Sequence, residues 1–299
     1  MDVVVLVGVC GAGLLAAAAA VVRWGGLVPG PRPLVADEAT MVTLRRLLRS
    51  LSIAFLAGGL AGLLTAGLGG RLMMRILAAT SSERVQGFPT DAEETVGEIT
   101  FGGSASFVLF TGVTGGLLGA TVYFAVRRWL PGRSARTSGL LLGLLALGLA
   151  PVTDALNQDN RDFTILDPDP LAVALIVGIF LLGGMTVVSV VERADRSWPV
   201  LEGRPSLATV AAYAPLLLFI PGWFVLVVFV GVLGGTVAVQ RVAPLHRAWT
   251  SAPVDRLGRV AFAALTLAAV AWAGSHAIDI LTGDDLFAVA SVPGDSAAE

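Results

Sequence analysis

The chain is divided into apolar runs whose length suits a lipid bilayer. A helix needs about 20 apolar residues to cross a hydrocarbon core of about 30 Å. Runs of that order cover 3–22, 50–70, 101–126, 138–155, 171–191, 222–240 and 260–281, and a shorter one covers 206–220. The connections between them are loops, and none is long enough for a soluble domain. Only 14% of residues are charged and 55% are hydrophobic, whereas soluble domains carry roughly 25% charged residues. So apolar a chain cannot cover a water-facing surface. The composition excludes a disordered chain, a disulfide scaffold around the single cysteine, and a nucleic-acid binder with a strongly basic field, since the net charge is −2. The expected fold is all-α: one polytopic transmembrane bundle of about eight spans over 1–281, followed by an acidic outer tail at 282–299.

Arginine placement sets the expected orientation, because cytoplasmic loops carry an excess of basic residues near the ends of spans. All 20 basic residues are arginines. With eight spans, the segments 23–49, 127–137, 192–205 and 241–259 face inward, and only Arg71, Arg75, Arg84 and Arg161 are left outside. Asp2 precedes the first run and Arg23 follows it, which puts the N-terminus outside and argues against a cleaved signal peptide. The acidic residues are distributed in the opposite sense. A seven-span reading, with 206–240 as one kinked helix around Pro221-Gly222, would move Arg241, Arg247, Arg256 and Arg259 outside. Eight spans with both termini outside is therefore the expectation, with 206–220 and 222–240 either two full spans or a partly re-entrant pair. Trp24, Trp129, Trp198 and Trp249 fall at inner ends and Trp223 at an outer end, as interfacial tryptophans do, while Trp272 lies deeper. Asp169-Pro170 reads as an N-cap followed by proline at the first helical position, and Ser138 and Ser206 are candidate starts of two further helices.

Helices in lipid associate by close backbone approach, which small residues permit. The second run places Ala54, Gly58, Gly62, Ala66 and Gly70 at a strict four-residue spacing. Gly112, Gly116 and Ala120 make a shorter ridge on the third run, and Gly139/Gly143, Ala174/Gly178 and Gly231/Gly235 repeat the pattern. Such ridges serve packing within one bundle. A homodimer through the second run is the other reading.

The chemistry-bearing residues are few. Arg71 and Arg75 depart from the orientation rule and stand at the outer end of the second run. Their four-residue spacing puts them on one face if the helix continues through Leu77. Arginine so placed snorkels to headgroups or pairs with a carboxylate. The candidate partners are Glu98, Asp154 and Asp279, which would complete an outer-face ion-pair or anion-binding cluster. The carboxylates between Asp154 and Asp169 lack the order and glycine of a calcium loop, so an ordered polar turn is expected there. Ser275, His276 and Asp279 include no catalytic dyad, because adjacent Ser and His on one helix point about 100° apart. No phosphate-binding loop, dinucleotide fingerprint, G-x-S-x-G or H-E-x-x-H motif is present. No metal-spaced Cys/His set occurs, so neither a metal nor a cofactor is expected. No ionisable residue falls at mid-depth of a run, which weighs against an ion-coupled carrier.

The stretches Gly70-Arg71-Leu72-Met73-Met74-Arg75, Val96-Gly97-Glu98-Ile99-Thr100 with Gly102-Gly103, and Asn160-Arg161-Asp162-Phe163 before the apolar run Leu171–Phe180 resemble a group of multi-pass membrane proteins from actinobacteria. The resemblance covers the second to fifth runs. It implies a bacterial plasma membrane and a helical bundle, and it carries no activity. The function expected from the residues is that of a non-enzymatic plasma-membrane protein acting through lipid, in particular phospholipid headgroups, or through a membrane-protein partner at its outer face. A small-solute or lipid transporter is the alternative, and a membrane-embedded enzyme the third.

Overall fold

The computed structural model describes residues 40–81, 87, 112–131, 134–153, 155–157, 160, 163, 169–198, 213, 227, 230, 231, 234, 235 and 251–287. The described residues are helical, with no strand among them. Three helical stretches, Leu48–Thr80, Asp169–Arg196 and Ala252–Thr282, are long and apolar enough to cross a membrane. The protein is thus a helical membrane protein. The expected span at 3–22, the first part of that at 101–126, and nearly all of 206–240 lie outside the described residues.

α1 (Thr40–Ala61) and α2 (Gly70–Thr80) are joined without a break by a π-helical stretch, Gly62–Gly69. The expected span at 50–70 is therefore the middle of a longer rod, roughly 60 Å at 1.5 Å per residue. The helix passes Gly70 because Arg, Leu and Met are good helix formers and nothing in the next turn breaks it. It stops at Ser81, whose backbone is extended and whose N–H and hydroxyl both donate to the Leu77 carbonyl, at 2.9 and 2.7 Å.

α3 (Val113–Val126) packs against α1 through glycine. A Cβ built on Gly58 would lie 2.7 Å from Leu117 Cα, and one on Gly116 would lie 2.5 Å from the Gly62 nitrogen. Further along, Gly112 meets both the Gly62 carbonyl and Gly67. The contact row thus runs Gly58, Gly62, Gly67, with Ala66 turned partly out. The π-helical stretch explains the step. Its i→i+5 turns are wider than α-helical ones, so the residue that faces α3 falls five positions on instead of four.

α4 (Ala135–Leu147) begins one turn before the expected Ser138. Ser134 is extended and its hydroxyl accepts the Thr137 N–H at 3.2 Å, a side-chain N-cap. The helix ends well short of residue 155. Leu149 N–H donates to Ala146 and Ala150 N–H to Leu147, tight i→i+3 turns that lead into Pro151, which cannot extend a helix. α4 lies on α5 (Asp169–Ser197), again backbone to backbone: a Cβ on Gly139 would sit 2.5 Å from Met185 Cα, and Gly184 faces Gly139 and Gly143 in return. Gly178, expected in this role with Ala174, has open space around it. α5 runs past the expected end at Val191 to Ser197, and Pro199 follows in the sequence. α6 (Ala252–Phe287) is longer than the expected 260–281 at both ends, so the start of the expected tail at 282 is helical.

Two apolar cores result. The first joins Ile53, Ala57 and Ala61 of α1, Ala120 and Tyr123 of α3, Ala135 and Leu142 of α4, and Val187, Val188, Val191 and Ala194 of α5. The second joins Leu77, Leu147, Leu156, Phe163, Ala172 and Ile176 with Ala273 and Ile280 of α6. The rest of α6 presents Leu257, Val260, Leu265, Leu267 and Trp272 outward, a face suited to lipid.

Candidate functional site

The arginines flagged by the sequence sit at the far end of the rod. Arg75 is buried, at 8% exposure, and Arg71 is half-buried with its Nε out of water. Both lie on α2 one turn apart. Glu98 and Asp154 lie outside the described residues. Asp279 is on an exposed position of α6 and makes no ion pair or side-chain hydrogen bond among the described residues. The structure therefore brings Arg71 and Arg75 together and leaves Asp279 apart from them. His276 Nδ1 donates to the Trp272 carbonyl (3.1 Å) and its ring lies 4.7 Å from that of Trp272. Ser275 donates to the same carbonyl, so neither side chain is poised on the other. Asp169 is buried in the first turn of α5. Among the described residues no three His, Cys, Asp or Glu side chains come together as a metal site would require.

At the opposite end the geometry assembles a site that the sequence reading passed over. Tyr123 of α3 and Glu192 of α5 are both almost fully buried, at 1% and 4% exposure, and the tyrosine hydroxyl donates to Glu192 Oε1 at 2.5 Å. Glu192 Oε2 is buried with no hydrogen-bond partner, and so is the hydroxyl of Ser189, one turn back on the same helix. Each unmatched buried oxygen costs about 1–3 kcal/mol, and buried polar groups are rarely left in this state. Ser52 of α1, Thr121 of α3, Ser138 of α4 and Thr186 of α5 are further buried polar residues of these helices.

A layer of charge closes that end. Arg49 of α1 reaches the C-terminus of α5, where its guanidinium donates to Asp195 Oδ1 at 2.6 Å, to the Asp195 carbonyl at 2.7 Å and to the Trp198 carbonyl at 3.1 Å. An arginine from a neighbouring helix thus supplies the positive C-terminal cap that the α5 dipole favours. Arg127 stands 4.0 Å from the other Asp195 oxygen and over the Phe124 ring. Arg128 pairs with Asp255 of α6 at 2.9 Å, and Arg259 with the same carboxylate at 2.8 Å. Trp129 fits against Gly258, where any Cβ would strike its ring. Arg49 and Arg75 are separated by roughly 39 Å along the rod, a little more than one hydrocarbon thickness.

The pair could have been found. Tyr123 continues the face of Gly116 and Ala120 at helical spacing, and Glu192 lies four residues after the buried Val188 and three after Ser189. The apolar run ends at Val191, however, so Glu192 reads as the first loop residue until the helix is seen to continue. No protein-family model, curated protein or solved structure matches this chain. What the site does therefore follows from its own residues.

Proposed function

We propose that this chain is a multi-pass protein of a bacterial plasma membrane, with eight spans and both termini outside, acting without catalysis through lipid or protein contacts at its outer face. The observation that carries the reading is the placement of Arg71 and Arg75. They lie about one bilayer thickness along the rod from the ion-pair layer, one turn apart, and one of them is drawn into the protein. The half-buried Arg71 at that depth fits a phosphate-bearing headgroup, with Arg75 one turn on held inside the protein. The glycine contacts between α1 and α3 and between α4 and α5 leave no room for a cavity within those pairs, which favours contact over carriage. The open apolar face of α6 meets lipid.

The test is purification of the full-length protein with native lipid, followed by mass spectrometry of what remains bound. An anionic phospholipid or a stoichiometric subunit is expected with the wild type and lost from Arg71→Gln/Arg75→Gln. Equal retention by both overturns the outer-face reading. A reporter active only outside the cytoplasm, fused after Glu299, should be active. A cytoplasmic signal there overturns the eight-span topology.

A further inference from the structure

Glu192 is a buried carboxylate, bonded on one oxygen and bare on the other. Its Oε1 is fixed by the Tyr123 hydroxyl. Its Oε2 and the Ser189 hydroxyl are both buried and unmatched. Buried charge in a membrane protein is compensated by a partner or by a bound cation, and intramembrane carboxylates mark proton and ion routes. The charged neighbours do not provide a direct partner. Arg127 is spent on Asp195 and the Phe124 ring, and Arg49 on Asp195 and two carbonyls. Arg127 first and Arg196 after it act on Glu192 through space, and Asp195 opposes them. α4 brings Ala135 and Leu142 to this core, and its buried polar residue is Ser138. Water is close by: the Asp195 side chain, one turn further along α5, is 24% exposed.

We propose that Glu192, seated with Tyr123 and Ser189, is a proton-exchange site of this bundle. In uptake, a lone pair on Oε2 takes a proton from a hydronium ion reaching it past Asp195, forming an O–H bond and leaving water. Release is the reverse, with the proton returned to water. The Tyr123 proton stays on its own oxygen throughout and donates to Oε1 in both states. This assignment rests on the geometry of the α1–α3–α5 core and not on the outer-face reading.

The experiment is infrared difference spectroscopy between acidic and alkaline buffer on the full-length protein in lipid nanodiscs. The wild type is expected to show a carboxylic C=O band that appears on acidification and disappears on alkalinisation. Glu192→Gln should lose it, and Asp255→Asn should keep it. Tyr123→Phe retains the carboxyl but removes its donor, so the band should persist at a shifted frequency. A Glu192→Gln spectrum that superimposes on the wild type overturns the proposal. If that variant does not fold, an unshifted band in Tyr123→Phe overturns it equally. Exchanging choline for sodium at constant pH should leave the band in place, and its loss on sodium addition would overturn the proton assignment in favour of a metal cation.

Discussion

The two ends of the described bundle are built by different means. At the Arg49 end, helices meet backbone to backbone through Gly58, Gly116, Gly139 and Gly184, and charge is consumed in pairs that cross from helix to helix. At the Arg75 end, large side chains, Leu77, Leu147, Leu156, Phe163 and Ile176, carry most of the packing beside one close approach of Gly148 to Ala269, α6 is mostly open, and Asp279 faces out. The first end has a register that a single added methyl group would disturb. This contrast separates the part of the molecule packed through glycine and ion pairs from the part packed through large side chains.

The largest expected effect comes from breaking the tight end. Gly116→Leu puts side-chain carbon into the Gly58 carbonyl and the Gly62 nitrogen, neither of which belongs to a flexible side chain. The expected cost is about 3 kcal/mol or more, read as loss of the monodisperse peak in detergent. Gly178→Leu, where the space is open, should leave melting temperature nearly unchanged. Equal losses would mean that the two ends are packed alike.

Next is the ionic lock. Arg49→Met removes three hydrogen bonds from the C-terminus of α5 and leaves Asp195 with Arg127 alone at 4.0 Å. The side chain is largely buried, so a loss of about 2–4 kcal/mol is expected, measured by thermal unfolding in detergent. Arg128 and Arg259 grip Asp255 where water reaches all three side chains. Asp255→Asn should therefore cost about 1 kcal/mol or less, and the difference should shrink in high salt, since exposed pairs are screened over roughly 8 Å at physiological ionic strength.

The membrane character and the approximate places of α1, α5 and α6 were legible in the sequence, because hydrocarbon thickness imposes a length that apolar runs reveal directly. The glycine spacing likewise pointed to the row that α1 turns toward α3. What stayed hidden depended on where helices end. Glu192 reads as loop because hydropathy falls there, yet the helix is carried six residues further by contacts that only the fold supplies: Arg49 from 146 positions away caps it. The step from Ala66 to Gly67 was also hidden, since a four-residue row carries no mark of a π-helical turn.

Asp279 shows how the same reasoning fails at the open end. Charge placement put it in one cluster with Arg71 and Arg75, because all three fall near outer ends of their runs. Proximity along the membrane normal does not fix rotation about the helix axis. α6 is anchored by Ala273 and Ile280, and that register turns Asp279 outward beside Ile278, which is 61% exposed. An ion pair there would have shown non-additivity in a double mutant of Asp279 and Arg71. With Asp279 exposed and making no ion pair or side-chain hydrogen bond among the described residues, Asp279→Ala should change stability by no more than about 0.5 kcal/mol. Its effect should add to that of Arg71→Ala within about 0.5 kcal/mol. Thermal unfolding of the two single variants and the double variant measures this directly. Coupling above that level would place Asp279 back with the arginines in one ion-pair network.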